Sequence, residues 1–149
     1  MKPVLYLDTS VLSAYHDERD ISRMSLTRAF WSLLDSYDVI VSDLVLGELS
    51  RVGDPGLLRT LLQLASPFRV VEGDTVSEEL AMAYMSAGAF PSDYADDSRH
   101  VGIAVANGAG YLVSWNFRHI VKVRTRRIVE LVNAQRSLPI LEIIAPPEL

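Results

Sequence analysis

The sequence predicts a three-layer α/β/α sandwich with a mainly parallel central sheet, and three observations support this fold class. Short apolar, β-prone runs alternate with amphipathic helical segments along the chain. The first run, residues 3–7, is apolar at odd and even positions alike, which is typical of a strand covered by helices on both faces. The 149 residues, 49% of them hydrophobic, suit a single domain spanning residues 1–149.

Five short apolar runs are the predicted strands, at 3–7, 38–41, 68–71, 111–114 and 140–144. They are rich in aliphatic and aromatic residues, which pack well on a sheet. Asp8, Thr9 and Ser10 directly follow the first run and offer side chains that cap a helix. The end of the first strand is therefore also a predicted helix start.

The predicted helices lie between the strands, at 23–37, 44–53, 55–65, 75–89, 95–107 and 126–135. The first of them places five apolar side chains on one face, namely Leu26, Ala29, Phe30, Leu33 and Leu34. Ser42 and Asp43 are suited to cap the second helix, and Pro55 fits the first turn of the third. Glycines after Asn107 end the 95–107 helix.

Composition excludes several classes of protein and site. The chain has no cysteine, so it forms no disulfides, and any metal must be held by oxygen or imidazole. No apolar run approaches the ~20 residues that span a bilayer, and Asp8 interrupts the first one. We therefore expect a soluble cytoplasmic protein without membrane contact. The net charge of -5 argues against coating of nucleic acid through a bulk positive field.

Acidic residues recur where a parallel sheet gathers its functional groups, beyond the carboxyl ends of the strands. Asp8 and Asn116 each follow a predicted strand, and Glu48 and Asp97 lie on helices expected near the same edge. Alone, each has an ordinary explanation as a cap, a strand end or a solvated helical residue. Carboxylates brought together repel unless a cation compensates, and Mg²⁺ or Mn²⁺ is suited to that role. Their joint placement predicts a metal site.

Four segments resemble the motif blocks of PIN-domain proteins, and most of all the small VapC-like ribonuclease toxins of type II toxin-antitoxin systems. They are LYLDTSVL at 5–12, VSDLVLGEL at 41–49, DSRHVGIA at 97–104 and LVSWNFRH at 112–119. The blocks follow the family's order and spacing and cover nearly the whole chain. The resemblance implies a PIN-like fold and metal-dependent endonucleolytic cleavage of RNA.

The resemblance also implies roles for individual residues. Asp8, Glu48 and Asp97 match the family's metal-binding acids, and Asn116 matches a catalytic position where many relatives have a fourth acid. Thr9, Ser10 and Ser114 match hydroxyls that support those acids. Asp96, directly before Asp97, leaves the third acid ambiguous, because adjacent helical residues point about 100° apart. The neutral Asn116 leaves the number of ions, one or two, open.

Implied partners are an RNA substrate, a Mg²⁺ or Mn²⁺ cofactor, a cognate antitoxin protein and a second copy of the chain in a homodimer. Five basic residues are candidates for contacts with the RNA backbone: Arg118, Lys122, Arg124, Arg126 and Arg127. An ordinary solvated helix with ion pairs explains them equally well. The 23–37 and 55–65 helices carry extra apolar residues, Trp31 and Leu57 among them, which in the family often line an antitoxin groove.

Two further residues are expected to have no catalytic role: His100 a core or surface role, and Trp115 a packing role. His100 lies in a motif block at a position that is usually apolar or packed, so no catalytic role is assigned to it. Trp115 is more suited to packing than to stacking on a base.

Two alternative functions differ in class from a nuclease. The first is a PIN-like module that binds RNA or protein with little or no turnover, as the missing fourth acid would permit. The second is a phosphatase with an aspartate nucleophile, resembling the haloacid dehalogenase group, which needs a second aspartate two positions after Asp8. Ser10 occupies that position, so the sequence disfavours the phosphatase.

Overall fold

Five parallel strands form one central sheet in the computed structural model, which describes residues 1–149. The strands are β1 (Val4–Leu7), β2 (Asp38–Ser42), β3 (Arg69–Val71), β4 (Tyr111–Val113) and β5 (Glu142–Ile144). They lie in the order β3-β2-β1-β4-β5, and every neighbouring pair is parallel. The central strands are buried on both faces, as their apolar sequences predict, and this confirms the parallel sheet.

Seven α-helices cover this sheet. They are α1 (Thr9–Tyr15), α2 (Ile21–Trp31), α3 (Asp43–Leu49), α4 (Pro55–Ala65), α5 (Thr75–Ser86), α6 (Ala95–Ala106) and α7 (Val123–Gln135). The first four pack among themselves, and α5 packs against both α6 and α7. Because parallel crossovers are right-handed, this strand order places the two groups on opposite faces of the sheet. The predicted α/β/α sandwich is confirmed. None of the helices combines the length and hydropathy needed to cross a membrane.

The strand order reverses between β1 and β4, and this reversal creates the crevice in which open α/β sheets bind ligands. Leu7 of β1 is in register with Val113 of β4. The next residue, Asp8, donates its backbone N–H to the Val113 carbonyl over 3.1 Å. Asp8 and Ser114 therefore leave the sheet side by side at its carboxyl edge.

The predicted 23–37 helix is wrong in its extent and in part of its buried face. α2 runs from Ile21 to Trp31, and the Ser32 hydroxyl then donates to the Ala29 carbonyl at the turn that ends it. A short 3₁₀ helix, Leu34–Ser36, follows. Phe30 and Leu34 are buried as predicted, whereas Leu26 and Leu33 are 42% and 45% exposed.

The ends of the other helices differ less from their predicted positions. α4 has the predicted bounds, with Asp54 as its N-cap and Pro55 in its first turn. α5 ends at Ser86, three residues before the predicted end, and α7 begins at Val123, three residues before the predicted start. The capping side chains after β1 introduce α1, whose N-cap is Asp8.

The packing of α6 on α5 generates a stability prediction. A Cβ at Gly102 of α6 would collide with the Ser77 carbonyl oxygen and lie 3.2 Å from the Ala81 backbone nitrogen, both in α5. Because backbone cannot move aside cheaply, we expect Gly102→Ala to lower the free energy of unfolding by about 2 kcal/mol. Urea denaturation measures this loss.

Gly47→Ala is the matched control, since Gly47 is also helical and a Cβ there meets nothing within 4 Å. Alanine is the better helix former, so this variant should match or exceed the parent by up to about 1 kcal/mol. Equal urea midpoints for the Gly102→Ala and Gly47→Ala variants would contradict the prediction.

Candidate metal centre

Asp8 combines a structural role with a free ligand atom. It follows β1, caps α1 and is 5% exposed. Its Oδ2 accepts hydrogen bonds from the hydroxyls of Ser10 over 2.6 Å and Ser114 over 2.7 Å. Oδ1 receives no hydroxyl and lies 3.4 Å from His100 Nε2. The hydroxyls hold the carboxylate in one orientation and leave Oδ1 available to a ligand.

Glu48 and His100 meet Asp8 at this edge of the sheet. Glu48 Oε1 accepts a 2.7 Å hydrogen bond from the Thr9 hydroxyl and lies 2.6 Å from His100 Nε2. One ligand atom from each of Asp8, Glu48 and His100 lies within 4.8 Å of the others. This is the spacing of groups that can share one metal ion.

A buried hydrogen-bond chain fixes the imidazole of His100, which is 1% exposed. Its Nδ1 is 2.7 Å from the Tyr6 hydroxyl, which is also 2.7 Å from Ser42 Oγ. Ser42 in turn caps α3, because its Oγ accepts the Val45 N–H over 3.2 Å. The chain connects β1, the start of α3 and α6, so Nε2 is the ring nitrogen left to face the acids.

The charges of these groups are coupled. Burial lowers the pKa of His100, but the charge of Asp8, the hydrogen bond and charge of Glu48, and the charge of Asp97 outweigh it, so the pKa is raised. Burial raises the pKa of Glu48. The hydrogen bond and the charge of His100 lower this pKa by more than burial raises it, so the net shift is downward. His100 and Glu48 thus favour each other's charged forms.

The charges of Asp8, Glu48 and His100 affect the pKa of Asp97, although Asp97 is not one of the three residues whose ligand atoms lie within 4.8 Å of one another. Burial, followed by the charge of Asp8, raises the pKa of Asp97 to about 6. The charge of His100 and a hydrogen bond from Asn116 act in the opposite direction. Asn116 Oδ1 accepts the His119 N–H over 2.9 Å, so its side chain closes a turn. Asn116 also lies near enough to Asp97 to lower the pKa of that carboxyl.

Asp96 points away from the cluster. Its carboxylate pairs with Arg99 over 2.8 Å, and Arg99 also pairs with Glu78 of α5 over 3.0 Å. Of the two adjacent acids that the sequence could not separate, Asp97 is therefore the one at the candidate site.

The five basic residues make different contacts. Arg118 is exposed, and its guanidinium carbon lies 5.9 Å from the ring centre of Tyr94, three residues before Asp97. Arg126 instead donates to the Ile143 carbonyl over 3.3 Å, which ties α7 to β5. The remaining three lie at the start of α7, namely Lys122, Arg124 and Arg127. Arg118 is the basic residue that contacts the start of α6, the helix that carries Asp97.

Trp115 packs, as the sequence suggested. It is 8% exposed, and its indole N–H donates to the Thr27 hydroxyl over 2.9 Å. Its ring therefore packs between the end of β4 and α2, away from solvent.

A cavity of about 410 Å³ opens beside Glu48, between α3 and the helices α5 and α6. Six charged side chains line it: Asp43, Glu48, Asp74, Glu78, Arg51 and Arg99. Because carboxylates outnumber guanidinium groups here, the cavity repels phosphate more than it attracts it. Polyanions are therefore expected to approach from another side.

His100 was not predicted as a site residue. A core or surface role was expected for it, whereas its ring is buried among acids. One local signal was available, because Asp97 and His100 are three positions apart on a helix and so share a face. The contact with Glu48 spans 52 positions and has no local signal.

Several solved structures resemble this chain. VapC20 from Mycobacterium tuberculosis, described as a sarcin-ricin loop cleaving toxin, has a TM-score of 0.62 and 19% identity over 77% of this chain and 92% of that chain. DNA-bound VapBC from Salmonella typhimurium has a TM-score of 0.62 and 15% identity over 98% of this chain and 99% of that chain. FitAcB from Neisseria gonorrhoeae has a TM-score of 0.65 and 14% identity over 97% and 99%.

Because the sequence identities to these structures are so low, the matches establish only that the chain shares their fold. The matches confirm the PIN-like α/β/α architecture that the sequence resemblance implied. No protein-family model and no curated protein sequence matches the chain significantly.

The raised pKa of Asp97 predicts the effect of removing its charge. A folded-state pKa of about 6 against an ordinary 3.8 means that ionised Asp97 destabilises the fold, with a penalty that grows between those pH values and is complete above them. We expect Asp97→Asn to stabilise the metal-free protein at pH 7.5 by about 1 kcal/mol, after allowance for partial solvent screening. Thermal denaturation in EDTA measures this gain.

Asp96→Asn is the control, because it removes the same charge from a solvent-exposed ion pair with Arg99. It should give no gain in stability. A lower melting temperature for Asp97→Asn than for Asp96→Asn would contradict the electrostatic argument.

Proposed function

We propose that this chain is a metal-dependent endoribonuclease that hydrolyses RNA phosphodiester bonds with Mg²⁺ or Mn²⁺, and that it is the toxin of a toxin-antitoxin pair. The observation that carries the proposal is the meeting of Asp8, Glu48 and His100 at the reversal point of the sheet, with Asp97 near enough for the charge of Asp8 to raise its pKa. The fold supports it, since proteins with this architecture include a toxin that cleaves the sarcin-ricin loop and VapBC assemblies.

The residues present fit a divalent cation. Asp8 offers Oδ1, Glu48 is held by Thr9, and the charge of Asp97 is only partly compensated. Oxygen donors of this kind suit Mg²⁺ and Mn²⁺. When bound, such an ion neutralises charge on a phosphate and makes water more acidic.

The side chains themselves supply positioning. Ser10 and Ser114 fix the Asp8 carboxylate, so its free oxygen keeps one direction without reorganisation. Asn116 orients Asp97, whose carboxylate is proposed to hold the attacking water in line with the scissile phosphate. The water proton then passes toward that carboxylate as the new P–O bond forms and the ribose oxygen leaves.

The RNA backbone is proposed to pass on the Arg118 side of the site. The cavity beside Glu48 is predominantly acidic, whereas Arg118 lies over Tyr94 at the approach to α6. A phosphate next to the scissile one would find a guanidinium there. We propose no such role for Arg126, because its guanidinium bonds to the backbone of β5.

A cognate antitoxin segment is the proposed occupant of the apolar surface on α2 and α4. Three leucines are 38–42% exposed on these two helices: Leu26, Leu57 and Leu62. Structures of the same fold include VapBC assemblies, which supports this choice. Homodimerisation is proposed as well, and light scattering of the purified chain at micromolar concentration tests it.

A second candidate is a binding module with little turnover. It is favoured by one observation, namely that the oxygen of Asn116 is engaged by the His119 N–H and so adds no ligand to the acids. Such a module would bind RNA without cleaving it when Mn²⁺ is supplied.

Asp8→Asn tests the nuclease. Asparagine also caps helices, so α1 should persist, but one anionic ligand is lost. We expect cleavage of an RNA substrate in Mn²⁺ to fall by at least about 100-fold. Asp54→Asn is the matched control, because Asp54 also caps a helix by accepting the N–H two residues on. Equal cleavage by the Asp8→Asn and Asp54→Asn proteins would refute the proposed function.

Arg118→Ala tests the path of the backbone. Loss of one phosphate contact should weaken RNA binding for all sequences alike and lower the slope of log K against log salt by about 1. Arg59→Ala removes an exposed arginine from α4, on the other helical layer, and should leave the slope unchanged. Fluorescence anisotropy at several salt concentrations gives both slopes, and identical slopes would count against the contact.

A further inference from the structure

We propose that His100 is a metal ligand, so that Nε2 joins Asp8 and Glu48 in a mixed nitrogen and oxygen site that selects Mn²⁺ and similar ions over Mg²⁺. The inference rests on the proposed metal-dependent nuclease, for which carboxylates alone would suffice.

The spacing of the donor atoms carries this inference. His100 Nε2 lies 2.6 Å from Glu48 Oε1 and 3.4 Å from Asp8 Oδ1. Neighbouring ligands of an octahedral ion with bonds of about 2.1 Å are about 3.0 Å apart, and the two observed distances bracket that value. Small side-chain adjustments would therefore admit an ion without moving the backbone.

The surroundings of the imidazole match those of a ligating histidine. Such a histidine donates its other ring N–H to a fixed partner, which sets its tautomer. Here Nδ1 meets the Tyr6 hydroxyl, and Tyr6 is anchored on Ser42. With the proton on Nδ1, the Nε2 lone pair points to the two carboxylates. That contact is stable only when Nε2 carries a proton or a metal.

The exchange between these two states is balanced. The hydrogen bond of 2.6 Å between Nε2 and Glu48 Oε1 contains one proton. A divalent ion bound at Nε2 would take the place of this proton, which would leave to solvent, and a proton on Nδ1 would stay on its hydrogen bond to Tyr6. No other bond changes.

The ligand set predicts metal selectivity. Imidazole nitrogen suits Zn²⁺, Fe²⁺ and Ni²⁺ best, and Mn²⁺ accepts it more readily than the harder Mg²⁺, which prefers carboxylate and water oxygen. Replacing the nitrogen should therefore weaken Mn²⁺ binding more than Mg²⁺ binding. A residue that merely positions Glu48 would affect both ions equally.

Pulsed electron paramagnetic resonance of the Mn²⁺-loaded chain tests ligation directly. We expect a ¹⁴N coupling from a directly bound nitrogen that becomes a ¹⁵N coupling when histidine is ¹⁵N-labelled. The chain has three histidines, so the signal should also vanish in His100→Gln and persist in His16→Gln. Bound Mn²⁺ without any nitrogen coupling would overturn the inference, and this measurement needs only the unmutated chain.

Calorimetric titration supplies the second readout. Glutamine can still donate to Glu48 and nearly fills the space of the ring, so His100→Gln retains a positioning role while removing the imidazole. We expect its Mn²⁺ affinity to fall at least about tenfold and its Mg²⁺ affinity to fall less. Equal losses for the two ions would overturn the inference.

The two proposals fail in different ways. RNA cleavage that depends on Asp8 without nitrogen coupling to Mn²⁺ would leave the nuclease intact and remove His100 from the ligand set. Nitrogen coupling that depends on His100 without RNA cleavage would do the reverse.

Discussion

Repulsion between carboxyl groups is the constraint around which this fold is arranged. Asp8, Glu48 and Asp97 come from a strand end and two helices, and burial, followed by the charge of Asp8, raises the pKa of Asp97. Hydroxyls hold Asp8 and Glu48, and the hydrogen bond to His100 lowers the pKa of Glu48. The parallel pairing of β1 with β4 fixes the first of these positions, because Asp8 begins where the ladder ends. The protein thus maintains an arrangement that its own charges oppose.

The sheet and the location of the site could be predicted from sequence because both depend on local patterns. A strand that is apolar on both faces followed by a capping aspartate identifies β1 and its carboxyl end. α4 was bounded correctly because Asp54 and Pro55 specify its start within two residues. α2 was not, since its end depends on a turn at Ser32 that interrupts an otherwise continuous apolar pattern.

Side-chain choices within the site depend on contacts distant in sequence. Asp96 and Asp97 are equivalent by composition, and only the pairing of Arg99 with Glu78 on α5 shows which way α6 is turned. His100 is held in the site by a hydrogen bond with the Tyr6 hydroxyl, 94 positions away in the sequence. The basic segment is continuous in sequence, yet Arg118 and Arg126 contact different parts of the molecule, because Arg118 lies in the turn before α7 and Arg126 lies within that helix.

The close contact between α6 and α5 has a consequence for the precision of the site. Gly102 lies two residues after His100, and its missing side chain lets the two helix backbones touch. Because the two backbones are already in contact, α6 has no room to move closer to α5, so Asp97 and His100 keep fixed positions relative to that helix. The proposed ion affinity would then depend on the spacing of the two helices. A substitution within that helical layer, remote from the proposed ligands, would weaken ion binding while the helix content of the protein stayed the same.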